Sequence, residues 1–260
     1  MRLLRSLIIA FSMYSRIPTP HTEWKEADMK YVMACFPIVG AVIALIQYAA
    51  YTVAAKLGLN VFFTASIAVC IPLILTGGIH MDGFMDMSDA LSSYKSKEER
   101  LEILKDPHIG AFAVIKAMVL MILYFGAVFD IISLGEKPVF LLLCLSYFGS
   151  RILCAAFAVC GRSAKKDGML YTFVNSSEKG LVMAILVTEM LVFIMLAVLI
   201  SPVIGAIMIL AMALSYLVCA WIAYKAIGGL TGDAAGWMLC ISECTAAVAV
   251  TLAGHLLRLI

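Results

Sequence analysis

Long apolar runs, interrupted only by short clusters of charge, Gly or Pro, recur along the chain at 31–55, 59–76, 111–134, 138–160, 181–200, 202–224 and 236–257. Each approaches the ~20 residues that a helix needs to cross a bilayer, so the pattern predicts seven transmembrane helices. Gly135, Glu136, Lys137 and Pro138 separate the third run from the fourth, and Ser201 and Pro202 the fifth from the sixth, so both pairs read as helical hairpins. Open sheet edges find no hydrogen-bond partners in lipid, which leaves an all-α fold. The opening MRLLRSLIIAFSM joins a basic start to a short apolar stretch without a small-residue cleavage pattern. It reads as an interfacial helix lying on the inner leaflet rather than a removed signal peptide. No linker, low-complexity tract or internal repeat divides the chain, so residues 1–260 read as one membrane-embedded domain.

Composition agrees with the pattern. The chain is 63% hydrophobic and 14% charged with a mean hydropathy of +1.03, whereas about a quarter of residues are charged in soluble globular proteins. A multi-pass protein of the cell (inner) membrane is expected. Of its 19 Lys and Arg, the N-terminal arm holds Arg2, Arg5, Arg16, Lys25 and Lys30, and the 77–110 loop Lys95, Lys97, Arg100 and Lys105. The 161–180 loop adds Arg162, Lys165, Lys166 and Lys179, and Lys225 opens the last loop of the same side; only Lys56, Lys137 and Arg258 fall on the other. Because short loops rich in Lys and Arg stay in the cytoplasm, the N-terminus and these loops are expected inside and the C-terminus outside. The net charge of +2 follows from topology and gives no argument for nucleic acid. Seven of the eight cysteines sit within the apolar runs, Cys160 sits at the end of one, and no C-x-x-C occurs, so they read as packing residues. The sequence leaves the oligomeric state open and is compatible with a homo-oligomer.

Against this background the loop between the second and third runs is chemically dense. Asp82, Asp86 and Asp89 are spaced i, i+4, i+7 and stack on one face if the segment is helical. Glu98, Glu99 and Glu102 alternate with Lys95, Lys97, Arg100 and Lys105 and read as a solvated, salt-bridged helix. The three aspartates have apolar neighbours, Met81, Phe84, Met85 and Met87, and no basic residue within five positions, so they ask for a cation. Hard oxygen donors indicate Mg²⁺ or Mn²⁺ rather than zinc. Such an ion commonly serves a diphosphate. Gly77, Gly78 and Gly83 suit close backbone approach to phosphate, and Arg151, costly in lipid, is expected to face a polar interior near Arg162, Lys165 and Lys166. The last loop offers Gly228, Gly229, Thr231, Gly232 and Asp233, with Glu243 further along the final run: backbone donors for phosphate and additional carboxylate ligands. Glu189, mid-run, is functional by default without a nameable partner; Asp130 reads as interfacial.

The segments HMDGFMD with Ser88 and Asp89, KDPHIGAFA, the N-terminal SRIPTP, FPIVGA, and GGLTGDAAG followed by Glu243 resemble the cobalamin synthase family of adenosylcobinamide-GDP ribazoletransferases, in order and spacing, from about Phe11 to Glu243. The resemblance implies a Mg²⁺-dependent enzyme at the cytoplasmic face of the membrane. A ribose hydroxyl of α-ribazole, or of its 5′-phosphate, attacks the cobinamide-side phosphorus of adenosylcobinamide-GDP and releases GMP. On this reading Asp82 and Asp86 hold Mg²⁺, with Asp233 and Glu243 as further ligands. Asp89 is either the base that accepts the hydroxyl proton or another metal ligand, and His80 is an alternative base or a structural residue. Gly77, Gly78, Gly83, His108, Gly110, Arg151, Thr231 and Gly232 are the candidate substrate-binding positions, His108 and Gly110 shaping the cytoplasmic mouth, while Asp106 caps or ligates. Two rival classes are weighed against it. A membrane prenyltransferase would want a second Asp-x-x-x-Asp cluster in the later loop, where Gly232, Asp233, Ala234, Ala235 and Gly236 stand instead; a transporter would place charge near the bilayer midplane and break its helices there.

Overall fold

The computed structural model describes residues 2–21 and 23–258. Its helices are α1 (Arg2–Tyr14), α2 (Glu26–Met29), α3 (Val32–Lys56), α4 (Val61–Thr76), α5 (Ile79–Ser92), α6 (Lys97–Ile103), α7 (Ala111–Leu134), α8 (Lys137–Cys160), α9 (Met169–Ser176), α10 (Lys179–Ile200), α11 (Pro202–Ile227) and α12 (Gly232–Arg258). Six of them, α3, α7, α8, α10, α11 and α12, are long and apolar enough to cross a membrane. The protein is an all-α, multi-pass membrane protein. Its seven expected spans fall on these six and on α4, with ends within four residues.

The second span differs from expectation. At 16 residues α4 is the shortest of the seven, and it reaches span length only together with α5, from which it is bent by 89°. Gly77 and Gly78 make the bend, with φ of +64° and +79°. L side chains avoid this left-handed region. The backbone N–H groups of Gly77 and Gly78 donate to the carbonyls of Ile74 and Leu73, closing the C-terminus of α4. α5 then leaves the direction of α4 and packs against α7 and α12.

α8 and α12 are mostly buried and form the centre, whereas α7 and α10 present most of their surface outward. Small residues allow close helix crossings where lipid supplies no hydrophobic drive. A Cβ added at Gly40 of α3 would lie within 3 Å of the Tyr147 carbonyl and the Arg151 side chain of α8, and one at Gly149 of α8 would meet the Phe193 ring of α10. The N-terminal helix is present as α1, whose Ile9, Ala10 and Tyr14 are buried. It is pinned to α2 by Ser6, which donates to the Asp28 carbonyl at 2.6 Å, and by an Arg5–Asp28 ion pair at 3.3 Å.

Candidate active site

The end of the bundle that carries α5 holds a cavity of about 510 Å³. Its lining comes from α1, α3, α5, α8, α9, Lys105 just after α6, the segment 163–168 and the start of α12. Two devices assemble it. First, α5 and α12 cross at backbone distance: a Cβ on Gly83 would lie 2.9 Å from the Asp233 Cα, and one on Gly236 would lie 2.9 Å from the His80 carbonyl oxygen. Second, the loops before α9 and α12 are tied together, since Leu230 donates to the Arg162 carbonyl and its own carbonyl accepts from Ala164, both at 2.9 Å. The Tyr224 hydroxyl accepts from the Arg162 N–H at 2.6 Å. This tie places Lys165 beside the carboxylates.

Asp82 is exposed, Asp86 and Asp233 are partly buried, and Asp82, Asp233 and Lys165 line the cavity. Thr231 caps α12, its hydroxyl accepting from the Ala234 N–H at 3.1 Å and reaching the Asp233 carboxylate at 3.4 Å. Partial burial, then the neighbouring charges of Asp82, Asp233 and Asp89, push the Asp86 carboxyl up to about 6 against the opposing pull of Lys165. Asp86 thus lies in the field of carboxylates from both α5 and α12, which is the electrostatic situation of a cation site. Among the described residues no group of three or more His, Cys, Asp or Glu side chains is arranged to grip an ion by itself. Mg²⁺, however, is usually held by one or two carboxylates together with water and substrate phosphate. Asp82, Asp86 and Asp233 fit that mode by donor chemistry.

The structure gives four sequence candidates different tasks. Asp89 accepts from the N–H groups of Gly110 at 2.5 Å and Ala113 at 2.8 Å. Both its oxygens thus accept from the start of α7, one N–H each, and tie α5 to α7. Glu243 is ion-paired with Arg151 and accepts from the Ser150 hydroxyl at 3.0 Å. Arg151, 1% exposed, also donates to the Tyr147 carbonyl at 3.0 Å. Each charge thus neutralises the other inside the bundle, where both line a small pocket that His80 shares; neither lines the cavity that holds Asp82. His108 is exposed and bonded to Asp106 at 2.6 Å, and neither lines the cavity.

Gly77 and Gly78 serve the bend, with Gly77 packed against the Arg16 side chain. Gly83 and Gly232 do border the cavity, as does Thr231. Gly110 starts α7 and touches Asp89. His80 is buried beside the packed Tyr14 and Phe36 rings, and its Nε2 has no protein partner among the described residues. Glu189 lies partly buried in α10 with an unpartnered Oε2. Sequence reasoning did not pick out Lys105, Asp167 and Tyr14 as lining residues. The apolar register of α1 is the signal that could have placed Tyr14 inward.

Fold and cavity together define a multi-pass membrane protein with a carboxylate-bearing cavity at one end of its bundle. Within that class the chain belongs to the cobalamin-5-phosphate synthase family, whose model matches residues 6–251. It is 39% identical over 97% of its length, and 95% of the relative's, to an adenosylcobinamide-GDP ribazoletransferase of Lachnoclostridium phytofermentans. It is 33% identical over 93% of its length, and 94% of the relative's, to one of Clostridium botulinum strain Alaska E43. No solved structure matches the chain. The chain is accordingly a transferase of cobalamin biosynthesis, which sets aside the prenyltransferase and transporter readings.

Proposed function

We propose that the protein joins adenosylcobinamide-GDP to α-ribazole, or to its 5′-phosphate, with release of GMP, at a site that faces the cytoplasm. The observation that carries the reading is the convergence of Asp82 and Asp86 of α5 with Asp233 of α12 beside Lys165, at a crossing close enough to require glycine. Asp82, Asp86 and Asp233 would hold Mg²⁺, which supplies charge neutralisation at the diphosphate. Lys165 adds a cation on the same side, and the α12 N-terminus at Gly232 directs backbone N–H groups towards anionic oxygen. A ribose hydroxyl of the acceptor attacks the cobinamide-side phosphorus, the bond from that phosphorus to the bridging oxygen breaks, GMP departs with that oxygen, and the hydroxyl proton passes to solvent at the exposed mouth. Catalysis in such a displacement is mostly positioning and electrostatic stabilisation, which the fixed α5–α12 crossing provides.

The test is direct. Detergent-purified protein with both substrates and Mg²⁺ should release GMP and form the corrinoid product, and EDTA should abolish both. Folded protein that yields neither would overturn the reading.

A further inference from the structure

Two nitrogens inside the bundle, His80 Nε2 and Arg151 Nε, have no hydrogen-bond partner among the described residues. His80 is 9% exposed and Arg151 1%, and both line one small pocket between α4, α5, α7, α8 and α12. The sides that α4 and α7 supply are mostly apolar. The other polar groups of the pocket are already engaged: the Tyr124 hydroxyl is bonded to that of Tyr147 at 2.5 Å, and Glu243 accepts from Arg151 and Ser150. Buried donors and acceptors without a partner are rare, and ordered water is their usual remedy. The pocket has about 40 Å³ of space. One water needs about 10–15 Å³ of it, so two waters fit and a substrate does not. The Arg151 Nε–H only donates, while an imidazole Nε2 accepts or donates with its tautomer, so a water between them satisfies both.

Among the described residues only His80 lines both this pocket and the acidic cavity. Its backbone stands at the α5–α12 crossing, where a Cβ on Gly236 would lie 2.9 Å from the His80 carbonyl oxygen and 3.2 Å from its Cα. Asp82 follows two residues later in the same turn, its N–H donating to the Gly78 carbonyl at 2.8 Å. This turn has no side-chain cap, and the two left-handed glycines before it restrain it little. Its orientation therefore depends on what its own side chains hold, and the His80 ring is the one that reaches Arg151's pocket.

We propose that ordered water in this pocket bridges His80 Nε2 to Arg151 Nε, and that His80 is thereby a positioning residue of the site. Arg151, fixed in the bundle, holds the first turn of α5, and with it Asp82, against α12. His80 acts through water and backbone and takes no proton from the substrate. The inference rests on the Mg²⁺ site proposed above.

Mg²⁺ binding by titration calorimetry and GMP release, measured side by side, test it. His80→Leu should weaken Mg²⁺ binding about tenfold, as when a group that orients a metal ligand is lost, and should lower kcat as well. His80→Gln puts an amide nitrogen near the Nε2 position and should recover most of both, whereas His80→Asn, whose amide matches the nearer ring nitrogen, should not. Equal losses in the Gln and Leu variants, the pattern of a general base, would overturn the proposal, as would wild-type affinity in folded His80→Leu. Where His80→Leu does not fold, Arg151→Lys, which keeps a charge opposite Glu243 but lacks the Nε–H, takes its place and should show the same loss. A crystal structure that resolves ordered water should show density joining the two nitrogens; a dry pocket overturns the bridge. Wild-type protein that neither binds Mg²⁺ nor releases GMP would instead sink the reading of the site, and the water density would still decide the bridge, so the two failures are distinguishable.

Discussion

At the scale of single residues, Asp82 and Asp86 carry the sharpest predictions. Asp82→Asn removes one negative charge from the proposed Mg²⁺ site. It should lower kcat by about 10²–10³-fold, the range seen when one preorganised group is lost, and leave thermal unfolding in detergent essentially unchanged, because Asp82 is exposed. GMP release measured beside a melting curve checks both halves. The carboxyl of Asp86 is raised to about 6, so its proton is retained at higher pH than an ordinary aspartate's. Only the deprotonated form binds metal, so apparent Mg²⁺ affinity should fall as pH drops through 6, by about tenfold per unit if one proton is displaced. Asp82 is among the causes of the shift. In Asp82→Asn the break should accordingly move to lower pH, and titration calorimetry across pH 5–8 reads it. Glu243 carries the opposite expectation. Removing one member of a buried ion pair strands the other, at roughly 3–5 kcal/mol, so Glu243→Gln should destabilise the protein strongly while folded molecules keep the wild-type dependence on Mg²⁺ concentration.

At the scale of elements, the site is a property of one crossing and one cap. α5 approaches α12 because Gly83 and Gly236 leave no side chain between the backbones. Gly83→Ala would put a Cβ 2.9 Å from the Asp233 Cα, a distance that backbone atoms cannot relieve without the helices parting. Turnover should fall by more than tenfold, because misplacement by about 1 Å can cost 10²-fold in rate, and this loss should exceed any fall in melting temperature.

The sequence made part of this arrangement legible and part of it not. The i, i+4, i+7 spacing of Asp82, Asp86 and Asp89 located the acidic face, because helical periodicity is local information. The division of labour on that face was not readable. Asp89 meets α7 through Gly110 and Ala113, more than twenty residues away, and nothing in the local pattern distinguishes a cap for a distant helix from a ligand. Arg151 was correctly expected to avoid lipid, yet its partner is Glu243, 92 positions distant, and only the packing of α8 on α12 reveals that the two neutralise each other. Tyr14 was hidden for a related reason: a helix resting on a membrane surface and one plugging a cavity share the same amphipathic pattern.

For the whole molecule, the decisive question is whether α4 crosses the bilayer. Among the described residues six helices have full span length, and with six crossings both termini would share a side; if α4 crosses as well, the number is seven and they are opposed. α4 spans 16 residues, about 24 Å at 1.5 Å per residue, short of the ~30 Å hydrocarbon core. Hydrophobic mismatch of this size is met by local thinning at a modest cost, and the polar α5 turning through 89° fixes the position of the inner end. The loop carrying Asn60, between α3 and α4, should then face the side opposite the N-terminus, while Tyr94, exposed after α5, faces the same side as it. Single cysteines at 60 and 94 in a background freed of exposed Cys70 and Cys160 should react with a membrane-impermeant maleimide from opposite faces of sealed vesicles. Labelling of both from one face would make α4 and α5 a re-entrant pair and reverse the side assigned to the C-terminus. Labelling from opposite faces, with 94 on the cytoplasmic side, would put the acidic cavity where water-soluble nucleotide substrates reach it without crossing the membrane.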